Sequence, residues 1–132
     1  MVAHAQKTTQ GGLATPSSQA IVRAAIKATQ VALELNPRFT ESLQLQAELY
    51  QGLGEMEEAI SSYRRLVEIN PKLPDGHYTL ASLLQAQGRH REAKRHYQKF
   101  LTLAPQSASG EEAYSGLIEL AKKQLEVLGK LP

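Results

Sequence analysis

The chain has 132 residues, 42% of them hydrophobic and 21% charged, which is ordinary for a globular protein and too apolar for a disordered one. Fifteen basic against thirteen acidic residues leave a net charge of +2, too little to capture nucleic acid by charge alone. There is no cysteine, which excludes disulfides, thiolate zinc sites and thiol catalysis, and no tryptophan, so the core must be built mainly from Leu, Ile, Val and Ala.

Residues 1–15 are small and polar, with Gly11-Gly12 and no periodic apolar face, and read as a flexible tail. They also lack the apolar run of a signal peptide, and no stretch of the chain approaches the ~20 apolar residues of a membrane span, so a cytoplasmic location is expected. Thr15-Pro16 is a good N-cap and first-turn pair, and a first helix is expected over 16–35. A second is expected over 38–52, with Leu43, Leu45, Leu49 and Tyr50 at helical spacing before Gly52 and Gly54 interrupt. In the third, over 55–69, Met56, Ala59, Ile60, Tyr63, Leu66, Val67 and Ile69 recur at three and four until Pro71 ends the helix. The plan repeats over 74–87 and 90–103, with the break at Gly88. A last helix, 110–128, places Tyr114, Leu117, Ile118, Ala121, Leu125 and Leu128 on one face. No segment alternates with period two, so the fold class is all-α.

The punctuation has a fixed period. Pro37, Pro71 and Pro105 are each 34 residues apart, and Ala25, Ala59 and Ala93 share that frame, as do Gly54 with Gly88 and Tyr63 with Tyr97. The segment 57–71 lies over 91–105, and 24–37 lies over both. These are antiparallel helix pairs repeated at one offset.

In this pattern the chain resembles the tetratricopeptide repeat family, whose 34-residue helix–turn–helix units carry a small residue, an aromatic and a proline at these positions. Repeat 40–73 supplies Leu43, Gln46, Ala47, Tyr50, Ala59, Tyr63 and Pro71; repeat 74–107 supplies His77, Leu80, Ala81, Leu84, Ala93, Tyr97 and Pro105. Gln46 stands where leucine is usual and His77 where a large aromatic is usual, two departures expected to weaken local packing. The resemblance implies a right-handed superhelical array: a half repeat 16–37, two full repeats and a capping helix, together a domain over 16–130. It also implies close helix contact at Ala47, Ala59, Ala81 and Ala93, and a wedge filled by Tyr63 and Tyr97.

The same resemblance assigns a concave groove to the first helix of each unit. Carried over by position, it is lined by Glu41, Gln44, Leu45, Glu48 and Gln51, then Asp75, Tyr78, Thr79, Ser82 and Gln85, with Ser109, Glu112 and Ala113 following in the last helix. None of the ten residues in the full repeats is Lys, Arg or Asn, which argues against the family's mode of gripping a C-terminal carboxylate. Glu41, Glu48 and Asp75 favour a neutral or basic peptide segment or helix. The implied function is a protein-interaction adaptor or scaffold. The alternative is a self-associating structural element of a larger assembly or of a longer multi-repeat protein. In repeat register the first helix has no partner, since Gly11-Gly12 and Pro16 oppose a helix before it. Ile21, Val22 and Ile26 are therefore expected to form a thinly covered edge, open to another copy of the chain or to upstream residues of a longer parent chain.

No catalytic constellation, cofactor or metal site is expected. His4 lies in the tail and His77 at a packing position. His90 and His96, six residues apart, do not share a helical face. The cluster Arg89-His90-Arg91-Glu92-Ala93-Lys94-Arg95-His96 reads as a solvated outer face, with Arg64 and Arg65 beside it in the preceding repeat. An acidic partner or anionic lipid is the minor reading of that cluster, and nucleic acid is not expected because stacking aromatics are lacking.

Overall fold

A computed structural model describes residues 16–107 and 110–131. The expected tail, 1–15, and the groove position Ser109 lie outside the described residues. Six α-helices run in order: α1 (Pro16–Leu35), α2 (Thr40–Gly52), α3 (Met56–Ile69), α4 (Pro74–Ala86), α5 (His90–Leu103) and α6 (Gly110–Gly129), with a 3-10 turn at Ala104–Gln106. No strand occurs among the described residues. The chain divides into two compact units, up to Arg65 and from Leu66 onward.

Identical chemistry ends α2 and α4. Gly54 and Gly88 adopt φ of 79° and 77°, a left-handed conformation that glycine enters without Cβ strain. The Gly54 N–H then bonds the Gln51 carbonyl at 3.0 Å and the Glu55 N–H the Tyr50 carbonyl at 3.0 Å. Thirty-four residues on, Gly88 reaches Gln85 at 3.0 Å and Arg89 reaches Leu84 at 2.9 Å. These paired bonds satisfy the last carbonyls of each helix and reverse the chain tightly enough for the next helix to fold back.

In the first unit, Val22, Ile26, Thr29 and Leu33 form one buried stripe on α1, which packs against α2. This corrects the expected edge: of Ile21, Val22 and Ile26, only Ile21 is open, at 70% exposure, while Val22 and Ile26 are covered. Their spacing explains it, since positions four apart face one way on a helix and Ile21 lies 100° round from Val22. Leu43 and Ala47 of α2 and Ala59, Ile60 and Tyr63 of α3 complete this core. In the second unit α4 packs on α5, and α5 on α6. Leu80, Ala81, Leu84, Ala93, Tyr97 and Phe100 are buried between them, joined by Ile118, Ala121 and Leu128. Ala59 and Ala93 are both fully buried, as the repeat frame requires.

The two departures from the repeat pattern are buried and hydrogen-bonded. Gln46 donates from Nε2 to Thr29 Oγ1 at 3.2 Å and accepts at Oε1 from the Ser62 hydroxyl at 3.1 Å, while Thr29 donates to the Ile26 carbonyl. His77 donates from Nε2 to the Pro71 carbonyl at 2.8 Å. A carbonyl can only accept, so Nδ1 of His77 is left as an acceptor. His96 Nδ1 lies 3.0 Å away and supplies the proton, with the two rings stacked at 5.3 Å.

Candidate functional site

The expected groove positions of the first unit form an open row on α2. Glu41, Gln44, Leu45, Glu48 and Gln51 are all exposed, while Ser42, Leu43, Gln46 and Ala47 between them are buried. Helical periodicity alone separates the two sets. Leu45, at 47% exposure, is the large apolar side chain in this row. Gln44 donates to Glu48 at 3.4 Å, one turn away. The row also reaches inward: the Tyr63 phenol is pushed up to about 12, by burial first and by the charge of Glu48 second.

The corresponding row of α4 is more heavily engaged. Asp75 and Ser82 are exposed, whereas Tyr78, Thr79 and Gln85 are half-buried. Tyr78 packs edge-on against Tyr97 at 5.8 Å and Phe100 at 5.1 Å. Gln85 accepts from the Tyr97 hydroxyl at 2.8 Å and donates to Gln124 of α6 at 2.7 Å. Burial pushes the Tyr114 phenol up, and the facing Asp75 carboxylate adds to the shift. Glu112 and Ala113 are exposed on α6. Tyr78 and Gln85 therefore also serve to hold α5 and α6 in place, which position matching does not reveal.

Apolar periodicity does not disclose two clefts, one in each unit. In the first unit a cavity of about 560 Å³ is bounded by Gln30, Glu34, Pro37, Tyr50, Glu58, Ser61 and Arg65, with the Gln46–Ser62 pair at its wall. In the second, Pro71, Arg95, Gln98, Lys99, Thr102 and Leu103 bound about 440 Å³. The 34-residue frame equates Pro37 with Pro71, Ser61 with Arg95 and Arg65 with Lys99, and comparing the repeats at these offsets is the signal that finds them. His96, expected on the solvated outer face, is turned partly inward against His77. It is half-buried, on the border between the buried Ala93–Tyr97–Phe100 stripe and the basic face to which its neighbours belong.

Among the described residues, no group of three or more His, Asp or Glu side chains converges as metal ligands would. No described helix is long and apolar enough to cross a membrane.

Residues 47–88 match the family model of the TPR repeat and residues 74–107 that of the tetratricopeptide repeat. No curated protein matches the sequence significantly. Among solved structures, the Yersinia enterocolitica type III secretion chaperone SycD, in complex with a peptide of the translocator YopD, aligns with a TM-score of 0.71 at 18% identity, over 86% of this chain and 83% of that one. PcrH in complex with the chaperone-binding region of PopD gives 0.70 at 19%, over 86% and 82%. The Sgt2 TPR domain from Aspergillus fumigatus gives 0.62 at 20%, over 93% and 74%. At these identities the likeness is one of fold. Two matching family models, laid on helix pairs with the same breaks and the same buried alanines, make this chain a tetratricopeptide repeat protein.

Proposed function

We propose that the chain is a protein-interaction module, an adaptor or scaffold that holds a peptide segment or helix of a partner without catalysing a reaction. The observation that carries this reading is the open α2 row, where an exposed Leu45 is flanked by Glu41 and Glu48. An apolar anchor bordered by carboxylates suits a segment in which an apolar side chain neighbours a neutral or basic one. SycD and PcrH, similar in fold, were each solved with a segment of a partner protein, which supports the same use of this scaffold. On the α4 row Asp75, Ser82 and the open edge of Tyr78 contribute in the same sense, and Glu112 adds charge on α6. A cytoplasmic location goes with this reading.

An immobilised array of basic–apolar and acidic–apolar peptides tests it. Binding of the basic set should fall with Leu45→Ala and with Tyr78→Ala. Glu48→Lys with Asp75→Lys should weaken basic peptides and spare acidic ones. If neither the Leu45 nor the charge-reversal variants alter capture of basic peptides, the row is not the site.

Self-association is the second reading, favoured by a specific feature of α1. Ile21, Ala24, Ala28, Val31 and Leu35 follow one another at steps of three and four, and all are exposed, Leu35 at 84%. This is the spacing of a helix seam. Ile21→Asp with Leu35→Asp should abolish any concentration-dependent increase in mass by light scattering. A wild type that stays monomeric across the series removes this reading.

A further inference from the structure

The outward face of α5 is cationic and has a cleft set into it. Arg91, Arg95 and Lys99 follow one another at steps of four, and Lys94, Gln98 and Thr102 run beside them. At 100° per residue these six positions share one side of the helix, and all six are exposed. The helix carries four Lys and Arg residues against the single carboxylate Glu92. At its C-terminal half the face meets Pro71 across the cleft of about 440 Å³, where Leu103 adds a second apolar wall. Neither Arg95 nor Lys99 is paired with a carboxylate among the described residues.

The first unit supplies an internal control. Its counterpart cleft keeps the proline wall but has Ser61 in place of Arg95, and the carboxylates Glu34 and Glu58 line it beside Arg65, whereas Glu68 and Glu92, which stand at the same repeat positions, do not line the second cleft. The repeat plan thus accounts for the hollow, and the second unit alone makes it cationic. The proline wall is also fixed from behind, since the Pro71 carbonyl accepts from His77.

We propose that this cleft binds an acidic segment of a partner protein in which carboxylate side chains alternate with apolar ones. The Arg95 guanidinium can take a carboxylate through two parallel N–H bonds, and Lys99, one turn on, adds a second charge. Gln98 offers an amide between them, and Pro71 and Leu103 receive an apolar neighbour. No aromatic side chain lines the cleft for base stacking, which sets nucleic acid below an acidic peptide. This surface is separate from the α2 and α4 rows, so the two proposals stand or fall independently.

The test is fluorescence anisotropy of the full chain with a short fluorescein-labelled peptide of alternating glutamate and leucine. Lysine–leucine and polyglutamate peptides, single-stranded RNA and vesicles containing phosphatidylserine serve as the other arms. The glutamate–leucine peptide should bind saturably and tighter than polyglutamate, with affinity falling as salt rises. Arg95→Gln with Lys99→Gln should weaken it at least about tenfold, while Leu45→Ala and Glu48→Lys leave it unchanged. Circular dichroism establishes that the doubly substituted chain keeps its helix content. Unchanged affinity in that chain overturns the proposal. So does equal or tighter binding of polyglutamate, RNA or vesicles, which would make the face a general polyanion surface. No saturable binding by the glutamate–leucine peptide overturns it as well.

Discussion

Removing the Ser62 hydroxyl should uncover a hydrogen bond hidden in the first unit. Ser62, Gln46 and Thr29 are all buried, and Gln46 links the other two. In Ser62→Ala the Gln46 amide oxygen stays buried and loses its donor at 3.1 Å, a loss of about 1–3 kcal/mol. Gln46→Leu strands the Ser62 hydroxyl instead, while Thr29 keeps its bond to the Ile26 carbonyl. Burying leucine offsets part of that loss, so this variant should fall about 1 kcal/mol below wild type. The pair of substitutions together removes both polar partners and should return within ~1 kcal/mol of wild type, because an apolar pair of similar shape leaves nothing unsatisfied. Position 80, the counterpart of Gln46 in the next repeat, is already a fully buried leucine. Urea denaturation followed by far-ultraviolet circular dichroism measures all four proteins. The effects should miss additivity by at least about 1 kcal/mol, and additivity within ~0.5 kcal/mol would refute the network.

Ala59→Leu or Ala93→Leu should overpack a helix contact with no free space and lower stability by about 1–3 kcal/mol in the same denaturation assay. Gly54→Ala and Gly88→Ala should each cost ~1–2 kcal/mol through backbone conformation alone, because an added Cβ meets nothing within 4 Å at either position; asparagine there should cost less. Burial, opposed by the Pro71 hydrogen bond and aided by the charge of Lys99, holds His77 below its ordinary pKa of 6.5. On acidification the unfolded chain therefore takes up the proton first, and stability should fall as the pH drops through about 6.5 and below. Thermal melts from neutral to mildly acidic pH should show a smaller loss in His77→Phe, and parallel curves would refute a contribution from His77.

Much of the fold is legible in the sequence because two signals coincide. The proline period of 34 and the apolar spacing of three and four give all six helices, with boundaries within two residues of those observed. Ala59, Ala93, Tyr63 and Tyr97 follow from the same frame. Periodicity identifies a buried face but not which polar groups meet on it. His77 and His96 are 19 residues apart on different helices, and neither stretch of sequence records that their rings stack. Val22 and Ile26 mislead for the opposite reason: α1 lacks a partner in repeat register, yet α2 covers it from the other side. Within the α4 row, Gln85 is engaged through Gln124, a residue of α6 whose reach no repeat position specifies.

The wedge tyrosines also give each unit its own chemical reporter. The Tyr63 phenol holds its proton up to about 12, and burial raises that of Tyr97 as well. Reagents that attack the phenolate, such as those used for nitration or iodination, should therefore spare these two rings in the folded chain. Once unfolded, both rings would ionise near the ordinary value of ~10 and lose that protection. Mapping the modified tyrosines after mild alkaline exposure would then show which unit opens first. In a protein without tryptophan, that distinction is available from the native residues alone.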